Sequence, residues 1–147
     1  MISFDKTRLS LVVSQFNNAI TDSLKKSAIN CFIERGGEEK HIEIFSVPGA
    51  FEIPGTVSQL IKKKKADIIV ALGCIIKGET PHFDYIATET SRAIMRMIVQ
   101  YDIPIGFGVL TTNNMKEAID RSQENESNKG REAMEAALDM YKIYTKI

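Results

Sequence analysis

A chain of 147 residues fits one domain, expected to span residues 1–147, and leaves no room for two of ordinary size. Apolar residues make up 44% and charged residues 26%, while nineteen basic and nineteen acidic side chains cancel to a formal net charge of zero. That balance argues against a nucleic-acid protein, which needs surplus lysine and arginine, and against a polybasic membrane anchor; it also lacks the self-repulsion that keeps copies apart.

The opening segment, Met1 to Ser10, carries no apolar core of the kind a secretory leader needs. No stretch approaches the roughly 18–20 apolar residues of a membrane helix. Cys31 and Cys74 make no disulfide framework, so the expected compartment is the cytoplasm. Together with His41 and His82 they match no zinc spacing, and no metal is expected.

Four short apolar runs alternate with segments of helical period. The first, Leu9 to Val13, is followed by Ile20, Leu24, Ala28, Cys31 and Phe32 at three- and four-residue steps, a helix stripe ended by Gly36-Gly37. The second, Ile42 to Val47, stops at Pro48-Gly49, and the next helix tolerates Pro54 in its first turn. The third, Ile68 to Leu72, is continuously apolar, as in a strand covered on both faces. A loop from Gly73 to His82 then leads into a long helix with Asp84 as its expected cap and Ile86, Thr90, Ile94, Met97 and Tyr101 on the buried side.

The fourth run, Ile103 to Thr111, opens with Pro104, where a missing amide does least harm. Helices from about Met115 and from Lys129 to Tyr144 complete the chain, the last striped by Ala133, Ala137, Met140, Tyr141 and Tyr144. Strands alternating with helices imply a parallel sheet covered on both sides. The simplest assembly is a flavodoxin-like three-layer α/β/α sandwich on a four-stranded parallel sheet. Lys62-Lys63-Lys64-Lys65, the one charge run, reads as cations complementing a helix C-terminus.

Open α/β sheets bind ligands beyond the carboxyl ends of their strands. There the sequence offers Phe16-Asn17, Pro48-Gly49-Ala50-Phe51-Glu52, Gly78-Glu79-Thr80-Pro81-His82-Phe83, and Phe107, placed late in the fourth strand. Such a rim suits a flat polar heterocycle and a small anion. Each residue also has a plainer reading. Residue type alone favours Phe16, Phe51 and Phe107 as core, Asn17 is a helix-cap type, Glu52 suits a first helical turn, and His82 can be a structural histidine. Arg121 and Lys129 can grip phosphate, although a surface arginine is commoner. Neither a Walker loop nor a dinucleotide fingerprint occurs, and nothing beside Cys74 suggests a thiolate nucleophile.

Taken in order, VPGAFEIP (residues 47–54), LGCIIKGETPHF (72–83), PIGFGVLTTNN (104–114), Phe16-Asn17 and Asn128-Lys129-Gly130 resemble the 6,7-dimethyl-8-ribityllumazine synthase family of riboflavin biosynthesis along nearly the whole chain. The resemblance implies condensation of 5-amino-6-(D-ribitylamino)uracil with 3,4-dihydroxy-2-butanone 4-phosphate, without metal or organic cofactor. It implies that Phe16 stacks on the pyrimidine, in a site that also includes Phe51, Cys74 and Ile76. Asn17 and the backbone near Ala50 and Ile75 hold the pyrimidine's polar edge, and Glu52 takes the ribityl hydroxyls. Gly78, Glu79, Thr80 and Arg121 hold phosphate, and His82 moves protons.

Phe107, Arg121 and Lys129 are expected from an adjacent subunit of at least a pentamer. The resemblance leaves both a pentamer and a sixty-subunit shell open, with riboflavin synthase as a conceivable enclosed partner. Two departures stand out. Gln15 replaces an arginine usual before the Phe-Asn pair, and Glu124 and Glu126 fall where many relatives carry glycine and lysine. Two rival readings are weighed. A flavin mononucleotide module would want a glycine- and hydroxyl-rich loop after strand one, which Ser14-Gln15-Phe16-Asn17 does not supply. A lumazine-binding or shell-forming protein without catalysis is countered by the presence of His82 and Arg121.

Overall fold

A computed structural model describes residues 3–147. The first two residues of the segment weighed as a leader lie outside the described residues. In chain order the elements are β1 (Leu9–Ser14), α1 (Asn18–Glu34), β2 (Ile42–Val47), α2 (Ile53–Lys62), β3 (Ile68–Ile76), α3 (His82–Gln100), β4 (Ile105–Thr112), α4 (Met115–Arg121) and α5 (Lys129–Lys146). Short 3₁₀ turns, Glu39–His41 and Ala50–Glu52, precede β2 and α2.

The four strands run parallel in the order β2-β1-β3-β4, as expected for the flavodoxin-like sandwich. Leu9 pairs with both Ile42 and Ile68, and Ile69 with Ile105. Side chains alternate across the pleat. Leu9, Leu11 and Val13 of β1, with Ile68, Val70, Leu72 and Cys74 of β3, face a core shared with α1, α4 and α5. Val12, Ile69, Ala71 and Ile75 face a second core under α2 and α3. Every residue of β3 except Ile76 is buried, which explains its unbroken apolar run. Edge strand β2 is mostly wet.

Strand β3 continues four residues beyond the expected end at Leu72. Gly73 is a packing position, not a turn. A Cβ there would lie 3.0 Å from Ser14 Oγ and 3.2 Å from Ile53 Cδ1, and the ladder runs on through Gly73–Val109 to Ile76–Thr112. The helix after it is capped by Pro81, and Asp84 sits in the first turn instead. The final stripe also shifts. Met134 and Leu138 are buried with Ala133 and Ala137, whereas Met140 faces solvent.

Two caps carry their chemistry openly. Asn114 Oδ1 accepts the Glu117 amide at 2.9 Å, and Glu117 Oε1 accepts the Asn113 amide at 2.8 Å, a reciprocal arrangement at the start of α4. Buried Asn128 accepts the amides of Gly130 and Arg131 and donates to the Gln123 carbonyl at 2.9 Å. Glycine follows because a Cβ on residue 130 would collide with the Leu24 backbone. The same reason holds at Gly106, where the Ala133 carbonyl of α5 crosses β4.

Candidate functional site

The sheet order reverses between β1 and β3, the place where an open α/β sheet leaves a crevice. A cavity of about 640 Å³ lies there. Its walls come from the carboxyl ends of three strands and from the start of α3: Phe16 after β1, Pro48 to Glu52 after β2, Cys74 to Ile76 and Gly78 on β3 and its loop, then Thr80, His82, Phe83, Tyr85 and Ile86. The surface is mainly apolar, with a carboxylate and an imidazole as its ionisable side chains apart from the Tyr85 phenol and the Cys74 thiol. That composition matches a small-molecule site.

Phe16 and Phe51 line the cavity and are not core: they are 72% and 61% exposed. A large ring left so open beside a crevice has no packing role within the chain. Asn17 occupies the N-cap position of α1, yet its side chain makes no cap bond. It adopts a left-handed conformation, φ 61°, and its Nδ2 donates instead to the Cys74 carbonyl at 3.1 Å. Glu52 ends the short turn into α2 and is exposed at the cavity wall. Thr80 Oγ1 accepts the His82 main-chain amide at 3.4 Å, tying the loop after β3 to the first residue of α3. Exposed Glu79 stands in that loop but not in the cavity wall.

Burial pushes the Cys74 thiol up to about 11. It remains protonated near neutrality, and its part is to line the wall. Both cysteines are free and buried.

Of the expected residues, Asn17 and Glu79 flank the cavity without lining it, and Phe107, Arg121 and Lys129 are not brought to it by the chain itself. Phe107 is the third residue of β4, paired with Ala71, early in the strand and not late; it is half-buried against the α2–α3 core. The strand begins at Ile105, because Pro104 precedes it, and runs on to Thr112, so its carboxyl end lies five residues beyond Phe107. Arg121 ends α4, with Nη1 donating to the Glu117 carbonyl at 3.1 Å. Lys129 opens α5 with Nζ 3.6 Å from Glu132. Helices α4 and α5 belong to the other core. Among the described residues, the cavity is lined by no lysine or arginine.

Phe83, the last residue of the loop expected to carry the site, lines the cavity, whereas the walls contributed by Tyr85 and Ile86 are not among the site residues expected from the sequence. Their signal was helical spacing: Tyr85 and Ile86 stand three and four residues after His82 and share its face. Among the described residues, no group of three or more metal-ligating side chains is assembled, and no helix is long and apolar enough to cross a membrane.

A sequence model of the family described as 6,7-dimethyl-8-ribityllumazine synthase matches residues 6–145. Curated relatives of that name include those of Campylobacter hominis, 43% identical over 95% of this chain and 89% of the relative, and Helicobacter acinonychis, 42% identical over 92% and 87%. The relative in Nautilia profundicola is 42% identical over 95% of this chain and 91% of its own length. With a match over nearly the whole sequence, this chain belongs to the 6,7-dimethyl-8-ribityllumazine synthase family.

Proposed function

We propose that this chain condenses 5-amino-6-(D-ribitylamino)uracil with 3,4-dihydroxy-2-butanone 4-phosphate, giving 6,7-dimethyl-8-ribityllumazine, phosphate and water. The observation that carries the reading is one cavity gathering Phe16, Ala50, Phe51, Glu52, Gly78, Thr80 and His82 in a chain of this family. Phe16 would stack on the pyrimidine, with Asn17 and the main chain of Ala50 and Ile75 at its polar edge. Glu52 would accept from the ribityl hydroxyls. The amides of Gly78 and Glu79 and the Thr80 hydroxyl would hold phosphate, Glu79 with its carboxylate turned outward.

The chemistry asks little covalent help from the protein. The uracil's 5-amino group attacks the ketone and water leaves, forming an imine. Phosphate is then eliminated, the enol tautomerises, and the ribitylamino nitrogen closes the ring with loss of a second water. Amine and phosphate already serve as nucleophile and leaving group, so alignment is the main contribution, worth up to about 7–11 kcal/mol. His82 would move protons, an imidazole being suited to neutral pH.

A phosphate-bearing substrate calls for a cation, and among the described residues no lysine or arginine lines the cavity of one chain. We therefore assign Phe107, Arg121 and Lys129 to the site of a neighbouring subunit, in a cytoplasmic homo-oligomer of at least five copies joined head to tail. Exposed Met95 and Val99 on α3 support such a contact. Riboflavin synthase, which would consume the product, is a conceivable protein partner. The test is direct: inorganic phosphate should be released only when both substrates are mixed, in step with the lumazine's absorbance. A folded oligomer that releases none would overturn the reading.

A further inference from the structure

Thr90 lies in the middle of α3 and is 1% exposed. A threonine or serine within a helix commonly turns its hydroxyl back to the carbonyl four residues earlier. Ser91, the next residue, does this toward Ala87 at 2.8 Å, and Thr56 of α2 does it toward Glu52 at 3.1 Å. Thr90 instead donates forty residues away, to the carbonyl of Ala50 at 3.4 Å. That oxygen also accepts the Ile53 amide. One acceptor thus ties the Ala50–Glu52 turn to both α2 and α3.

The turn lines the cavity; Thr90 does not. Burying a hydroxyl costs free energy that a hydrogen bond only offsets, and valine has nearly the same shape. Packing alone would therefore accept valine at position 90, and what the hydroxyl adds is a fixed position for the turn. The phosphate-type loop is anchored elsewhere, by the Lys77 amide on the Thr112 carbonyl at 2.8 Å and by Thr80. We propose that Thr90 is a positioning residue that sets the Ala50–Glu52 wall for the ribitylaminouracil and leaves the sugar-phosphate side of the site alone. This rests on the proposed condensation.

The test compares Thr90→Val and Thr90→Ser in the full-length protein. Steady-state kinetics are measured with each substrate varied, alongside urea unfolding and amide hydrogen exchange over residues 50–53. Loss of one hydrogen bond predicts that Thr90→Val raises KM for the uracil about three- to tenfold. KM for the butanone phosphate should stay within about twofold, with the urea midpoint unchanged or higher and exchange in the turn faster. Thr90→Ser keeps the hydroxyl and should restore the uracil KM, even with the stability lost with its methyl group. An unchanged uracil KM in Thr90→Val would overturn the inference, as would parallel rises in both KM values that track a fall in stability. If Thr90→Val does not fold, a raised uracil KM in Thr90→Ser overturns it and a normal one supports it. If the wild-type protein makes no lumazine, the condensation fails on its own; hydrogen exchange then decides whether the Thr90 tether holds the turn, and unchanged exchange overturns it.

Discussion

The Asn17 side-chain amide lies 3.1 Å from the carbonyl of Cys74, joining the ends of β1 and β3 where the strand order reverses. Asparagine is among the few residues other than glycine that visit the left-handed region readily, and Asn17 sits there at φ 61°. Phe16, beside it, lines the cavity. Asn17→Gly keeps the backbone and loses the tether, an expected cost of about 0.5–1.5 kcal/mol in urea unfolding. Asn17→Ala adds left-handed strain of about 1–2 kcal/mol. Equal stability of the two variants would show that the conformation carries no strain.

His82 stands at the first turn of α3 on the cavity wall. If alignment dominates the rate, His82→Ala lowers kcat by no more than the roughly 10²–10⁴-fold of general acid–base catalysis and leaves turnover measurable. Complete loss in a folded variant that still binds both substrates would reverse that ranking.

Under the proposed reading, Arg121 has a different task. If its fork-shaped cation holds the phosphate, Arg121→Ala should raise KM for the butanone phosphate and lower kcat, while KM for the uracil changes little. A charged hydrogen bond of about 1.5–3 kcal/mol corresponds to a loss of roughly 10–150-fold in kcat/KM. Unchanged kinetics would remove Arg121 from the site.

Far from the cavity, Arg8 fastens the start of β1 to the turn before β3. The Arg8 amide donates to Asp67 Oδ2 at 2.8 Å and its guanidinium to Oδ1 at 3.1 Å. Burial alone would raise the Asp67 carboxyl, but the side-chain and main-chain hydrogen bonds and the charge of Arg8 hold it below its ordinary range. A folded-state value below the unfolded one gives stability that is present above about pH 3.9 and lost as pH falls through the folded value. Asp67→Asn should therefore cost about 0.5–1 kcal/mol at pH 7, in keeping with a partly exposed pair. The gap to wild type should close in acid; a gap independent of pH would contradict the ion pair.

The periodicity of the chain was enough to place every strand and helix in order, because continuous apolar runs and three-to-four stripes report burial directly. It misjudged positions where small or aromatic residues serve two purposes. Gly73 resembles a break and is a contact with Ser14 and Ile53. Phe16 and Phe51 resemble core and stand open, since ring size says nothing of which side of a crevice a ring occupies. Asn17 has the composition of a cap, but its hydrogen bond reaches to Cys74, 57 residues away, which no local pattern contains. The family motifs, by contrast, marked most of the cavity wall as far as Phe83, and left out Tyr85 and Ile86, which helix geometry adds.

One measurement is decisive for the proposal that two chains complete the pocket. A Phe16→Ala/His82→Ala variant and a Phe107→Ala/Arg121→Ala variant, each impaired alone, are unfolded, mixed in equal amounts and reassembled. If neighbours share the site, random assembly pairs intact halves at about a quarter of the interfaces, and lumazine formation should recover to about that fraction of the wild-type rate. Activity no greater than the sum of the two separate variants, in mixed oligomers shown by mass to contain both chains, would contradict a shared site.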